Sequence, residues 1–170
     1  DLFIPRTLED FRMVLDNDDV MSETPVMGEV SADNYYLSDS YYEGLKSRER
    51  NCYTWEDDNS IYFEKEGSVD DWDKPYQQVF YANVVIEGLK KISSDFGGDK
   101  TEWENLYGQA LFIRSYAFYN LAQVFSPPYD KNLSVEENRF GIPLRKSTNI
   151  ENVPRSKVSE TYDLIVADLD

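Results

Sequence analysis

The chain has no histidine and a single cysteine, Cys52. Without histidine it lacks the side chain that most often serves as a zinc ligand and as a general base near neutral pH. One thiol excludes an internal disulfide and a thiolate metal cluster. Basic residues are also scarce: Lys and Arg number 17 against 33 Asp and Glu, a formal net charge of −16. Such a field repels phosphate backbones and anionic lipid headgroups, so nucleic acid is not an expected partner. No run approaches the ~20 apolar residues that a bilayer-spanning helix requires. Catalysis would have to rest on carboxylates, and no metal or other cofactor is expected.

What is present suffices for a packed core. The 170 residues are 41% hydrophobic and 15% aromatic, about one domain's worth. The start, DLFIPRT, has neither an initiator methionine nor a signal-peptide layout, and VSETYDLIVADLD at the other end stays helical in pattern to its last residue. Residues 1–170 are therefore expected to be a single domain and a fragment of a longer protein.

Residues 108–125, GQALFIRSYAFYNLAQVF, carry the most information. At about 100° per residue, Trp103, Leu106, Ala110, Ile113, Ala117, Leu121 and Val124 share one helix face, and Arg114 points into that same face. A guanidinium buried unpaired costs several kcal/mol, so the fold must supply it with a carboxylate or a set of carbonyls. Gly108, Ala110 and Ala117 alternate with Phe112, Tyr116, Phe118 and Tyr119, the pattern of a helix that meets a neighbour closely while rings fill the gaps.

Elsewhere, Thr7 and Asp10 frame a capping-box-like start for a short helix over 7–16, with Leu8, Phe11 and Leu15 at helical spacing before the acidic stop DNDD. From Pro25 to Gly67 periodicity is lost, which predicts a long irregular loop with room for one helical turn. In 71–92, Trp72, Tyr76, Val79, Phe80, Asn83 and Ile86 share a face, and Lys90 and Lys91 suit the last turn. SSDFGGDK reads as a turn, and Thr101 with Glu104 as the capping box of the next helix, which Pro127 and Pro128 end. GIPL at 141–144 reads as an extended segment against the helices. Ser156 is the expected cap of a last helix in which Val158, Tyr162, Ile165 and Leu169 recur. The expected fold is all-α, built on an antiparallel hairpin of tetratricopeptide type with long irregular loops. The consensus tetratricopeptide residues are not matched, so spacing alone supports that comparison.

Four segments in fixed order carry a more specific signal: W-x3-Y-x6-AN at Trp72, Tyr76, Ala82 and Asn83, then GQALFIRSYAFYNL, then GIPL, then PRSKVSETYDLIVADL. The chain resembles in these the N-terminal region of the SusD/RagB family of outer-membrane nutrient-binding lipoproteins. Gln109 departs from the family's usual Glu, which leaves Glu104, Asp168 or carbonyls as partners for Arg114, and Ser126-Pro127 stands where many members have glycine. The resemblance implies a non-enzymatic, surface-exposed lipoprotein of the outer membrane, anchored by a lipid upstream of this fragment. It also implies a SusC-like TonB-dependent transporter as partner, to which oligosaccharides or other nutrients are delivered. The runner-up function is a tetratricopeptide-like protein-interaction module that holds no small ligand.

Tyr35, Tyr36, Tyr41, Tyr42, Tyr53 and Trp55 concentrate aromatic surface in an otherwise polar segment. Sugar rings stack their C–H faces on such rings while Asn and Asp bond the hydroxyls; the same rings could instead seal the segment onto the helices. Trp55, Tyr41, Tyr42, Tyr35 and Tyr36 are the candidate ligand-binding residues. Arg114, Asn83, Trp72 and Trp103 are assigned structural roles, with Asn83 expected to bond the backbone of an adjoining loop. Asp16, Asn17, Asp18 and Asp19 lack the spacing of a calcium loop. Asp57 and Asp58 are an acidic pair of the kind a chain this acidic produces by chance, not glycosidase machinery.

Overall fold

The computed structural model describes residues 4–56, 70–92 and 98–170. The acidic pair Asp57 and Asp58, the Gly67 end of the expected loop and most of the SSDFGG turn lie outside the described residues. Helix α1, Leu8–Leu15, starts where expected. The Asp10 N–H donates to Thr7 Oγ1 at 3.1 Å, and Asp10 Oδ2 accepts the Thr7 N–H at 2.9 Å, so two end-of-helix donors are satisfied reciprocally. After the Asp16 cap the acidic run does not stop the helix register for long: Asp18–Met21 forms a single turn, α2.

The segment expected to be irregular is more helical than its pattern suggests. It contains α3 (Met27–Val30), α4 (Asp39–Gly44) and α5 (Ser47–Tyr53). These helices run one or two turns, too short to show a 3.6-residue stripe, and long-range contacts hold them instead. The buried carboxylate of Asp71 accepts the Val26 and Met27 N–H groups at 3.0 and 2.7 Å, fixing the start of α3. The Leu37 N–H donates to the Tyr53 hydroxyl at 3.1 Å.

Helices α6 (Asp70–Ile92) and α7 (Lys100–Phe125) make the hairpin. Their ends meet crosswise: Trp103 Nε1 donates to the Leu89 carbonyl at 3.0 Å, while the rings of Trp72 and Phe125 pack edge-on at 5.0 Å. The two helices are therefore antiparallel. Helix α6 buries Val79, Ala82, Asn83, Val85, Ile86 and Leu89, but Phe80, expected on that face, is 46% exposed because the stripe passes one position to its side. Helix α7 begins two residues earlier than the expected Thr101 box: the Asp99 carboxylate accepts the Glu102 N–H at 3.1 Å, and Glu104 instead meets Lys100 on the surface. Of the four aromatics expected to fill gaps beside its small residues, only Phe118 is buried, whereas Phe112, Tyr116 and Tyr119 face outward.

After a further turn, α8 (Val135–Asn138), the GIPL segment runs extended against residues 155–156, with Gly141 N–H donating to the Ser156 carbonyl and Ser156 N–H to the Ile142 carbonyl, both at 3.1 Å. Gly141 is required here, since a Cβ would lie 2.6 Å from the Lys157 carbonyl oxygen. Helix α9, Val158–Leu169, is capped at Lys157, whose N–H donates to Glu160 at 3.0 Å. Ser156 does not cap it; its hydroxyl bonds the Ile142 carbonyl and Thr161 at 2.8 Å each. The face α9 buries is Val158, Thr161, Ile165 and Asp168, so Leu169 is outside.

Among the described residues the core has two main parts. Phe11, Val14 and Leu15 of α1 pack with Val85, Leu89 and Leu106 at one end of the hairpin; Val79, Ala117, Phe118, Leu121, Ile142 and Ile165 fill the other. Arg114 lies in sequence between the two contributions of α7.

Candidate functional site

Residues 30–55 place their rings by backbone carbonyls. At the end of α3 the Tyr35 hydroxyl donates to the Val30 carbonyl at 2.5 Å, and Trp55 Nε1 donates to the next carbonyl, Ser31, at 2.8 Å. Two consecutive carbonyls thus bring Tyr35 and Trp55 to the same spot from opposite ends of the segment. Tyr53 sits between Tyr35 and Tyr42, with centroids 5.7 and 5.9 Å away. Trp55 has φ 55°, the left-handed region that a bulky residue rarely adopts, and that backbone presents its ring outward with 71% exposure. Tyr36 and Tyr41 are exposed by 88% and 63% and make no ring contact among the described residues. The structure therefore groups Tyr35, Tyr42, Tyr53 and Trp55, while Tyr36 and Tyr41 stand apart as open rings.

Beneath this surface, between α3, α5 and the start of α6, lies a cavity of about 190 Å³. Cys52 in its wall is buried, and burial pushes its thiol above the ordinary value, so it is a packing residue and not a poised nucleophile.

Arg114 occupies the centre of the helical body. Its Nε and one terminal nitrogen donate to the two Asp168 oxygens at 2.8 and 2.6 Å, and the other terminal nitrogen donates to Asn83 Oδ1 at 2.9 Å. Asn83 Nδ2 passes the chain on to the Arg145 carbonyl at 2.9 Å. Of the partners left open by the sequence, Asp168 is the one used; Glu104 is at the surface. Trp72 and Trp103 are half-buried: Trp103 stacks on Tyr107 at 5.1 Å, and Trp72 packs against Tyr76 at 4.9 Å.

Among the described residues no group of three or more Asp, Glu or Cys is placed to hold a metal ion, and no helix is long and apolar enough to cross a membrane.

Residues 5–170 match the model of the SusD-like_3 family, described as starch-binding and associating with the outer membrane. No curated protein and no solved structure matches the chain.

Proposed function

The chain belongs to the SusD-like_3 family, and from that premise we propose that in its full-length form it is a non-enzymatic, surface-exposed lipoprotein that captures glycans and passes them to a SusC-like TonB-dependent transporter. The observation that carries the ligand part is the aromatic surface of residues 35–55, above all Trp55, whose indole N–H is held by Ser31 while its ring is exposed. A ring fixed before the ligand arrives loses little rotamer entropy on binding. Each stacked ring contributes on the order of 1 kcal/mol, so a few rings acting on one chain give useful affinity without any reaction. Starch is the first ligand to try, because it is the one named for the family.

A lipid anchor upstream of this stretch would hold the protein at the outer membrane, as the resemblance implies. Calorimetry of the full-length protein with soluble starch and a panel of other glycans tests the capture step. Co-purification with the transporter tests the partner. The reading fails if the protein neither binds any glycan nor recovers a transporter.

One observation favours a second reading, a tetratricopeptide-like interaction module without a small ligand: Phe112, Tyr116 and Tyr119 form an exposed row on the outer face of α7. Recovery of a soluble protein through that face, with no glycan bound, would decide for it.

A further inference from the structure

The first turns of α6 and the segment 143–153 enclose an open cleft of about 350 Å³, separate from the tyrosine-rich surface. We propose that this cleft is a second saccharide subsite, taking one neutral sugar ring of an oligosaccharide; the proposal rests on the reading of the ligand as a glycan. Its volume lies within the range of small-ligand sites, about 300–1,000 Å³. Its floor is aromatic and rigid. The Trp72 indole is held by Tyr76 at 4.9 Å, by the edge of Phe125 at 5.0 Å and by the Arg155 guanidinium at 5.8 Å. Tyr76 spends its hydroxyl on the Pro143 carbonyl at 2.7 Å, and so offers the cleft a ring.

The rim is polar and has capacity to spare. Asp73, Glu151 and Asn152 line the cleft and are exposed, and their side chains make no hydrogen bond or ion pair among the described residues. Arg145 uses one terminal nitrogen on the Asn149 carbonyl at 3.1 Å, which leaves further donors on its five-donor fork. Acceptors, donors and an amide around an aromatic floor suit a ring of vicinal hydroxyls with C–H faces. Charge narrows the class: the lining sets the carboxylates of Asp73 and Glu151 against the single guanidinium of Arg145, with Arg155 nearby against the Trp72 ring, so an anionic sugar is disfavoured. The cleft is also tied to the tyrosine-rich segment. Asp71, the residue before Trp72, holds the start of α3, so the same helix end adjoins both surfaces.

The test uses the full-length protein and three neutral probes, maltoheptaose, xylohexaose and mannohexaose, titrated by calorimetry. The paired variant Glu151→Ala with Asn152→Ala removes exposed groups and is expected to leave the thermal midpoint unchanged while weakening the probe that binds three- to tenfold. Trp72→Phe keeps the core filled and is expected to weaken the same probe, and Trp55→Ala is measured alongside. If the paired variant binds as tightly as the parent while Trp55→Ala is weakened, this proposal falls and the glycan reading stands. If the parent binds none of the three probes, this proposal falls, and the glycan reading falls with it only if no other glycan binds and no transporter is recovered. Preference for polygalacturonate over every neutral probe would also overturn the proposal.

Discussion

Arg114 and Asp168 join helices α7 and α9 by two parallel hydrogen bonds, 2.8 and 2.6 Å long, with both side chains over nine-tenths removed from solvent. The pair is bidentate, the geometry in which a guanidinium fork and a carboxylate fit best. Asn83 of α6 takes a further N–H, so one cation ties three helices, and Asn83 extends the tie to the loop at Arg145. Desolvating both charges offsets most of their attraction, so the pair adds little net stability, but it sets the register of α9 on the hairpin.

Removing one partner leaves the other charge buried and alone. Arg114→Ala is expected to cost on the order of 3 kcal/mol, whereas Lys91→Ala, at an exposed position, should be nearly neutral. Thermal midpoints of the two variants check this, and equal midpoints refute it. Replacing Arg114 and Asp168 together by apolar residues should restore much of the loss.

Close approach of α1 to α6 depends on Gly88. A Cβ there would lie 2.3 Å from the Phe11 ring, which is itself buried in the core. Gly88→Ala should therefore destabilise by about 1–3 kcal/mol despite its better helix propensity. Combining it with Phe11→Leu should recover part of that cost in chemical denaturation, since the obstruction is the ring alone.

The α1 cap gives a pH signature. Asp10 accepts the Arg6 and Thr7 N–H groups, and these bonds, the Arg6 one first, hold its carboxyl below the ordinary value of 3.8. A folded-state value below the unfolded one means that the cap stabilises the fold fully above pH 3.8 and loses this effect as pH falls through the lower folded value. Asp10→Asn should thus lower the thermal midpoint at neutral pH, and the gap to the parent should close in strong acid. A gap that is the same at both pH values would rule the cap out as its source.

The long elements were legible because their periodicity is strong. The stripes of α6 and α7, with Arg114 among apolar neighbours, are enough to predict a hairpin with an internal ion pair. The misplacements have specific causes. Phe80 shares its turn with Val79 and Asn83, and a pattern read by hydrophobicity cannot tell which neighbour the stripe leaves out. Thr101 with Glu104 resembles a capping box, but Asp99 comes first and already satisfies the Glu102 N–H. Helices α3 to α5 are too short to show a periodic face, and what holds them lies far off in sequence: Asp71 fixes the start of α3, and Tyr53 at the end of α5 holds Leu37, sixteen residues earlier. The tyrosines between 35 and 53 mark the candidate surface by composition, but nothing in the sequence tells that Trp55 is fixed by the Ser31 carbonyl, because that bond spans 24 residues and a left-handed backbone.

Trp55 allows binding and folding to be separated. Its φ of 55° costs a residue with a Cβ about 1–2 kcal/mol, and glycine accepts that conformation freely. Trp55→Gly therefore relieves backbone strain while losing one exposed hydrogen bond to Ser31, about 1 kcal/mol. The two effects oppose each other, so the thermal midpoint should stay close to the parent's. Glycan affinity should not: without the ring, on the order of 1 kcal/mol of stacking is lost, roughly a fivefold weakening. Trp55→Phe keeps an aromatic face but no N–H to hold it, and should fall between the two. Calorimetry with starch oligosaccharides and thermal melts of all three proteins check the series. Equal affinities across it would show that the exposed ring takes no part in capture, and would move the search to Tyr36 and Tyr41, the other open rings of the same surface.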